Sequence, residues 1–273
     1  MVYELKGRNV LVTGGSRGLG EVICIKFAQE GCNVAINYLA SAEKSKTLAE
    51  KLEKDCGVKA IIIQADMGKE EDCIRTVQET ISNLGGIDSM SPSSITPPLI
   101  LFQPSQQPPP SLTTHSFCTI FPSQNNQPNT PKVIVSNAGY TRFSNFPDLT
   151  ATTAHDWDYC YAVNVKAQHI LLREASPTFK SNPEGGCLIM SSSIAATHPS
   201  GSSMPYSVTK AAQIHLMKCL AFTQGPKIRV NAVLPGLLLT EWVFTLSFLT
   251  PLSIKHEKWS KLIGYRASAT PPK

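Results

Sequence analysis

The chain has 273 residues, of which 42% are hydrophobic and 16% charged, and its formal net charge is +5. These values are typical of a globular protein, and the scattered basic residues form no run that would favour a nucleic-acid partner or an acidic membrane surface. No apolar run approaches the ~18 residues of a membrane span, and the first residues lack a signal-peptide core, so we expect a cytoplasmic protein. The eight cysteines form no C-x-x-C pair and have no histidine at metal spacing, so we expect neither a metal nor a disulfide.

The first predicted elements form a phosphate-binding arrangement. A buried-strand pattern at residues 9–13 runs into a glycine-rich turn and then into a helical pattern at about residues 19–30. Gly14 permits a tight turn, Gly18 lets the backbone approach a pyrophosphate, and Gly20 allows close packing of the helix, whose N-terminus faces the anion. The spacing is T-G-x-x-x-G-x-G, not the G-x-G-x-x-G of the dinucleotide fingerprint, so an ordinary glycine loop remains an alternative.

Strands and helices alternate along the next part of the chain. Strand patterns at residues 33–37 and 58–63 are followed by helical patterns at residues 42–56 and 70–84. This alternation predicts parallel βαβ units and an α/β fold with a doubly wound sheet.

The end of the second strand indicates which dinucleotide the loop would bind. An NAD site has an acidic residue there for the adenine ribose 2′-hydroxyl, whereas this chain has Asn37 and Tyr38, and its first acid is Glu43. Arg17 in the glycine loop can face a 2′-phosphate, and Ser41 is a nearby donor, so the sequence favours NADP(H). The alternative for Arg17 is a solvated loop side chain.

Residues 89–131 differ in composition from the rest of the chain. They contain no Asp, Glu, Lys or Arg, and they hold ten of the chain's twenty prolines. Because proline clusters prevent a packed helix or strand, we predict a disordered or extended insert. It interrupts the run from residues 85–88 into a strand pattern at residues 133–136, and we expect it at the amino end of that strand, away from the ligand-binding edge.

The second half of the chain contains a serine run followed by a Tyr-x-x-x-Lys pair. If Pro205 opens a helix, Tyr206 and Lys210 lie at i and i+4, so the ammonium lies near the phenol oxygen. The positive charge stabilises the phenolate and lowers a tyrosine pKa from its usual ~10, which makes Tyr206 a candidate acid. A serine hydroxyl from the preceding strand end, at residues 191–193, can bind the same substrate oxygen. Taken alone, such a pair also arises by chance on helix surfaces.

Together these motifs resemble the short-chain dehydrogenase/reductase family in its single-domain Rossmann form, close to its NADPH-dependent ketoacyl-reductase-like members. The resemblance covers residues 5–88 and 132 to about 242. It implies one domain, residues 1–242, interrupted by the insert, with a sheet of six strands. The atypical tail at residues 243–273 contains no readable seventh family strand. The resemblance depends on motifs in family order: Thr13-Gly14-x-x-x-Gly18-x-Gly20, Asp66, Asn137-Ala138-Gly139, Asn164, Ser193, Tyr206-x-x-x-Lys210 and Pro235-Gly236.

The resemblance implies an oxidoreductase that reduces a ketone or aldehyde to an alcohol with NADP(H), and small carbonyls, polyketide-like ketones, steroids and sugars remain open as substrates. Tyr206 would be the general acid, and Lys210 would lower its pKa and hold the nicotinamide ribose. Ser193, thirteen residues before the tyrosine, would orient the substrate oxygen, with Ser192 in reserve. Asn164 would hold a water in the proton relay, although a satisfied core polar residue is an open alternative.

Cofactor contacts are implied for the glycine loop, for the ends of the strands and for the segment after the sixth strand. Asp66 would meet the adenine, with a helix N-cap as its alternative role. The full set is Gly14, Ser16, Arg17, Gly18, Leu19, Gly20, Asn37, Ser41, Asp66, Asn137, Ala138, Gly139, Tyr206, Lys210, Pro235, Gly236 and Thr240.

Two further points follow from the atypical tail. The family is usually homo-oligomeric, but the corresponding region forms much of the subunit interface, so a homo-oligomer is doubtful for this chain. The alternative function is a catalytically impaired NADP(H)-binding relative, acting as a sensor or pseudo-enzyme.

Overall fold

Six β-strands form one parallel sheet in the computed structural model, which describes residues 4–84, 131–236 and 238. Their order across the sheet is β3-β2-β1-β4-β5-β6. The order reverses direction between β1 and β4, which is the point where a doubly wound sheet opens a crevice for ligands. The prediction of a six-stranded doubly wound sheet is therefore confirmed. The strands are β1 (Asn9–Val12), β2 (Asn33–Tyr38), β3 (Ala60–Gln64), β4 (Pro131–Ser136), β5 (Gly186–Ser191) and β6 (Ile228–Val233).

Six α-helices are present in the same described ranges, and they connect or follow the strands. One π-helical turn, Ala162–Lys166, joins the fourth helix to the fifth, and a 3₁₀ turn, Ile194–Ala196, follows β5. The second and third helices have the predicted bounds, whereas the π turn was not predicted. The helices are α1 (Gly18–Gln29), α2 (Ala42–Cys56), α3 (Glu70–Leu84), α4 (Ala154–Tyr161), α5 (Ala167–Ser181) and α6 (Met204–Gln224).

The core lies on both faces of the sheet, because successive side chains of a strand point to opposite faces. On β1, Leu11 belongs to the cluster formed with α3, α5 and α6, whereas Val10 and Val12 belong to the cluster formed with α1 and α2. All three side chains are buried, as expected for a parallel strand covered on both faces. At the edge strand β6 the burial alternates, and the face away from α6 is largely exposed.

The two described segments of the chain meet at the amino edge of the sheet. Residue 131 lies beside Asn9 in the β1–β4 ladder. The side-chain Nδ2 of Asn9 donates to the carbonyl of Leu84 at the end of α3, at 3.1 Å. The Glu184 carboxylate pairs with Arg8 at 2.5 Å and with Lys132 at 3.5 Å. These contacts, all among described residues, tie the start of β4 to β1 and to the segment before β5.

Several predictions fall on residues outside the described ranges: Thr240, the tail at residues 243–273 and all of the predicted insert except Pro131. The domain boundaries therefore stay predictions. Among the described residues, no helix is long and apolar enough to cross a membrane, and no group of three or more metal-ligating side chains is assembled.

Candidate active site

The predicted site residues converge at the carboxyl edge of the sheet. The glycine loop follows β1, Asn137–Gly139 follows β4, and the serine run ends β5. Pro235 and Gly236 follow β6, where the Pro235 carbonyl accepts from the amide of Ile194 at 3.1 Å. These segments therefore lie along one crevice.

The glycine loop requires glycine at three of its positions. Gly14 and Gly18 have φ values of +62° and +56°, in the left-handed region that side chains with a Cβ disfavour. A Cβ on Gly20 would lie 2.1 Å from the Gly14 carbonyl oxygen and 2.7 Å from the Asn137 amide nitrogen. The first turn of α1 can approach the loop this closely only because residue 20 has no side chain.

Asn137 and Thr13 join the glycine loop to the end of β4. The Thr13 hydroxyl accepts from the main-chain amides of Asn137 and Ala138, both at 3.0 Å. In return the Asn137 side-chain amide donates to the carbonyls of Thr13 at 3.2 Å and Gly14 at 3.3 Å. The ends of β1 and β4 are thereby held together where the sheet order reverses.

Asn37 at the end of β2 is buried, with 1% of its surface exposed. Its amide nitrogen donates to the carbonyls of Ile63 at 3.3 Å and Ala65 at 3.1 Å, and its oxygen accepts from the Gly14 amide at 3.1 Å. Its side chain is thus engaged within the fold and contacts the glycine loop, and its predicted cofactor contact stays a prediction.

The N-termini of α1 and α2 differ from those of α4 and α6. Arg17 and Ser41 occupy the N-cap positions of α1 and α2, and neither makes a side-chain capping bond. By contrast, Thr153 caps α4 and Ser203 caps α6. The first amides of α1 and α2 are therefore left without a side-chain cap, as an anion-binding helix end requires.

Asp66 follows β3 and is paired with a tyrosine that the sequence analysis missed. One oxygen of its carboxylate accepts from the Gly68 amide and from the Tyr159 hydroxyl, both at 2.8 Å. Since α3 begins at Glu70, Asp66 is not its N-cap. Burial raises the pKa of Tyr159, and the hydrogen bond to Asp66 adds to this effect. Tyr159 therefore stays a hydrogen-bond donor that orients the carboxylate.

Tyr206 and Ser193 face each other beside the crevice. The Ser193 hydroxyl is hydrogen-bonded to the Tyr206 side chain and also accepts from the Ala195 amide at 3.1 Å. The Ser192 hydroxyl instead donates to the Lys210 carbonyl at 3.2 Å and is buried. The structure thus favours Ser193 over Ser192 as the serine beside the tyrosine.

Lys210 is buried behind Tyr206, with 2% of its surface exposed. Its Nζ donates to the Ser191 carbonyl at 2.8 Å and to Gln213 Oε1 at 3.4 Å, and it lies 5.5 Å from the centre of the Tyr206 ring. Burial lowers the pKa of the Lys210 ammonium to about 8.

The sequence predicts that Lys210 lowers the pKa of Tyr206, but burial has the larger effect on this pKa in the structure. Burial raises the pKa of the Tyr206 phenol, and the hydrogen bond from Ser193 offsets this only in part. The physical reason is that the Lys210 ammonium is directed to a main-chain carbonyl while both side chains are removed from water. Tyr206 is therefore held in its protonated form, which is the form that an acid needs.

Asn164 lies in the π turn and is completely buried. Its Oδ1 accepts from the Tyr140 amide at 2.9 Å, and its Nδ2 donates to the Tyr140 carbonyl at 2.9 Å and to Thr209 Oγ1 at 3.0 Å. Its side chain is thus satisfied within the core and holds the loop after β4 against α6. The predicted water-holding role of Asn164 stays a prediction.

Comparison with known proteins identifies the family to which this chain belongs. A family model described as short chain dehydrogenase matches residues 8–93 and 129–247. The chain belongs to the short-chain dehydrogenase family. The match omits residues 94–128, which lie within the predicted insert.

Among the relatives of this short-chain dehydrogenase is granaticin polyketide synthase putative ketoacyl reductase 2 of Streptomyces violaceoruber. It is 29% identical over 89% of this chain and 78% of its own length. The 3-oxoacyl-[acyl-carrier-protein] reductase FabG of Staphylococcus aureus is 28% identical over 88% of this chain and 78% of its own. A crystal structure of a short chain dehydrogenase from Burkholderia cenocepacia in complex with NADP has 27% identity and a TM-score of 0.67, covering 95% of this chain and 83% of that one.

Three polar residues of this short-chain dehydrogenase were missed by the sequence analysis although they contact predicted site residues. Tyr159 binds Asp66, Thr209 binds Asn164, and Gln213 binds Lys210. Thr209 and Gln213 carried one usable signal: they lie three residues after Tyr206 and Lys210, respectively, and therefore on nearby positions of the same helix face. Tyr159 carried none, because its partner is 93 residues away in sequence.

Proposed function

We propose that this short-chain dehydrogenase reduces the carbonyl of a small ketone or aldehyde to an alcohol with NADPH, reversibly. The observation that carries the proposal is the Ser193–Tyr206 hydrogen bond, with Lys210 buried directly behind it, at the sheet edge that also holds the glycine loop. In this proposal the protonated Tyr206 phenol supplies the acid. We place the activity in the cytoplasm.

The described residues suit the pyrophosphate and the ribose 2′-phosphate of NADPH. The left-handed glycines and the first turn of α1 offer main-chain amides to a pyrophosphate. No acid occurs between Asn37 and Ser41, and Arg17 and Ser41 stand at the starts of α1 and α2, which favours a 2′-phosphate over a free ribose hydroxyl. We further propose contacts from Ser16, Leu19, Asp66, Ala138, Gly139, Pro235 and Gly236. When bound, NADPH supplies the hydride that the carbonyl carbon receives.

The protein's own part in the reaction is to bind the carbonyl oxygen and to deliver a proton to it. Ser193 donates a hydrogen bond that orients the oxygen and stabilises the negative charge that develops there. Tyr206 then transfers its phenol proton to that oxygen, so that hydride and proton together complete the alcohol. The nearby Lys210 ammonium stabilises the resulting phenolate until a solvent proton restores it.

The experiment that tests this function measures binding and turnover separately. NADPH fluorescence is titrated with the purified full chain, and NADPH oxidation is then followed with a panel of ketones and aldehydes. We expect saturable binding of NADPH, weaker binding of NADH, and turnover with at least one carbonyl. Binding without turnover would favour the alternative, an NADP(H)-binding relative that acts as a sensor or pseudo-enzyme, and no binding would contradict both.

Replacement of Gly20 by alanine should weaken NADPH binding by at least about tenfold, because the new methyl group would overlap the Gly14 carbonyl and force the loop to move. The matched control is Gly57→Ala at the end of α2, where a Cβ would meet nothing within 4 Å. That substitution strains a left-handed residue at a cost of about 1–2 kcal/mol but leaves the loop intact. Equal NADPH affinity in the two variants would contradict the assignment of the loop.

Replacement of Ser193 by alanine should lower kcat/KM for carbonyl reduction by about a hundredfold, because one donor to the developing negative charge is lost. Ser192→Ala removes the neighbouring hydroxyl, which binds the Lys210 carbonyl instead, and should change kcat/KM by less than about fivefold. Steady-state kinetics of both variants decide between the two serines. A larger loss in Ser192→Ala would reverse the assignment.

A further inference from the structure

A completely buried glutamine lies next to Lys210. Gln213 is on the inner face of α6, one turn after the lysine, and none of its surface is exposed. Its Oε1 lies 3.4 Å from Lys210 Nζ. Because an ammonium has donors but no acceptor, the amide atom that faces it must be the oxygen.

The other polar atom of the Gln213 amide, Nε2, indicates why a glutamine occupies this position. Among the described residues its Nε2 has no hydrogen-bond partner, so Lys210 is the one partner that this side chain has in that part of the protein. A buried amide costs free energy unless it is hydrogen-bonded. An apolar side chain at residue 213 would suit the surrounding core better, unless the amide serves the lysine.

Few other groups are available to hold the Lys210 charge. On β5 the main-chain carbonyl of Ser191 accepts from Nζ at 2.8 Å. Among the described residues, the titratable groups that face the ammonium are Tyr206 on its own helix and Cys160 on α4. Within the described ranges no carboxylate forms an ion pair with Lys210. The ammonium therefore depends on neutral oxygens.

We propose that Gln213 is a positioning residue, which uses its neutral amide oxygen to keep Lys210 protonated and fixed behind Tyr206. The inference deepens the proposed function, since it assigns a role relative to the same lysine. A neutral acceptor stabilises the ammonium without pairing its charge, so that the charge remains available to the Tyr206 phenolate. A carboxylate at this place would neutralise that charge.

The pKa of Lys210 provides a direct test in the absence of cofactor and substrate. The full chain is labelled with [ε-¹³C]lysine, the Lys210 resonance is assigned by its loss in Lys210→Met, and its chemical shift is titrated with pH. Gln213→Leu should lower the pKa of Lys210 by about one pH unit, because the ammonium loses an acceptor. Gln213→Glu should raise it by a similar amount, because a carboxylate favours the charged form.

Gln168→Leu is the matched control, since it also removes a completely buried amide. Gln168 is on α5, and its Nε2 donates to the Val163 carbonyl at 3.4 Å, not to Lys210. We expect the pKa of Lys210 to stay within about 0.3 pH units in this variant. An equal shift in Gln168→Leu and Gln213→Leu, or no shift in either Gln213 variant, would overturn the proposal.

A kinetic measurement tests whether Gln213 affects turnover, and its outcomes distinguish the role of Gln213 from the proposed function. The fall of kcat/KM at alkaline pH should move to lower pH in Gln213→Leu and to higher pH in Gln213→Glu. If the parent chain shows no turnover, the proposed function fails but the NMR titration still decides the role of Gln213. If the parent turns over and the Lys210 pKa is unchanged in both variants, only the inference fails.

Discussion

Tyr206→Phe should lower the rate of carbonyl reduction by about a thousandfold or more while leaving the affinity for NADPH within about threefold. The substitution removes one oxygen, and with it the proton that the developing alkoxide would receive. The ring remains, so the packing against Lys210 and the nearby backbone is kept. Stopped-flow measurement of a single turnover, together with NADPH titration, separates the chemical step from binding.

The matched control for this prediction is Tyr161→Phe. Tyr161 ends α4 and is 47% exposed, so loss of its hydroxyl should leave both turnover and binding unchanged. A Tyr206→Phe variant that retains more than about a tenth of the parent rate would show that another group supplies the proton. A variant that loses NADPH binding as well would show that the hydroxyl also contributes to cofactor binding.

Lys210→Met should make the protein more stable at pH 7 by up to about 3 kcal/mol while abolishing turnover. Burial lowers the pKa of Lys210 from its ordinary 10.5 to about 8, and each pH unit of such a shift corresponds to about 1.4 kcal/mol. Below pH ~8 the folded protein holds a charged group that burial disfavours, whereas the unfolded chain solvates it. Methionine fills similar space without the charge.

The sign of the pH dependence follows from the same shift. Between about pH 8 and 10.5 the unfolded chain binds more protons at this lysine than the folded protein does, so its unfavourable contribution disappears as the pH rises. Urea unfolding at pH 7 and pH 10 should therefore show a larger difference between parent and Lys210→Met at pH 7. Exposed Lys166→Met serves as the control. A less stable Lys210→Met at pH 7 would mean that the bond to Ser191 outweighs burial.

Tyr206 and Lys210 belong to a site that is maintained at a cost in folding stability. A buried ammonium is unfavourable for folding at neutral pH, but it provides a fixed charge next to a phenol that burial keeps protonated. The Ser191 carbonyl and the Gln213 amide lower the cost without removing the charge.

The fold could be predicted from the sequence because its signals are local. The alternation of strand and helix patterns, and glycines at the first turn, determine a parallel sheet with a crevice where its order reverses. The helix bounds at residues 42–56 and 70–84 agree with the structure. Periodicity and turn residues act over a few positions, so no long-range information was needed.

The roles of individual polar side chains could not be predicted in the same way. Asn37 ends the second strand and Asn164 is at a family motif position, yet their amides are engaged by backbone groups from other elements. The π turn around Asn164 leaves no pattern in the sequence, since its residues also suit an α-helix. The direction of the Tyr206 pKa depends on burial, which only the packed structure reveals.

The junction at the amino edge of the sheet has a consequence for protein engineering. The start of β4 is fixed by its ladder with β1 and by the Glu184 ion pairs, and it lies at the opposite end of the strands from Ser193 and Tyr206. The entropy of closing a connection grows only with the logarithm of its length. A foreign domain or fluorescent reporter introduced between residues 84 and 131 should therefore have little effect on the candidate active site, and this position is a suitable place to attach one.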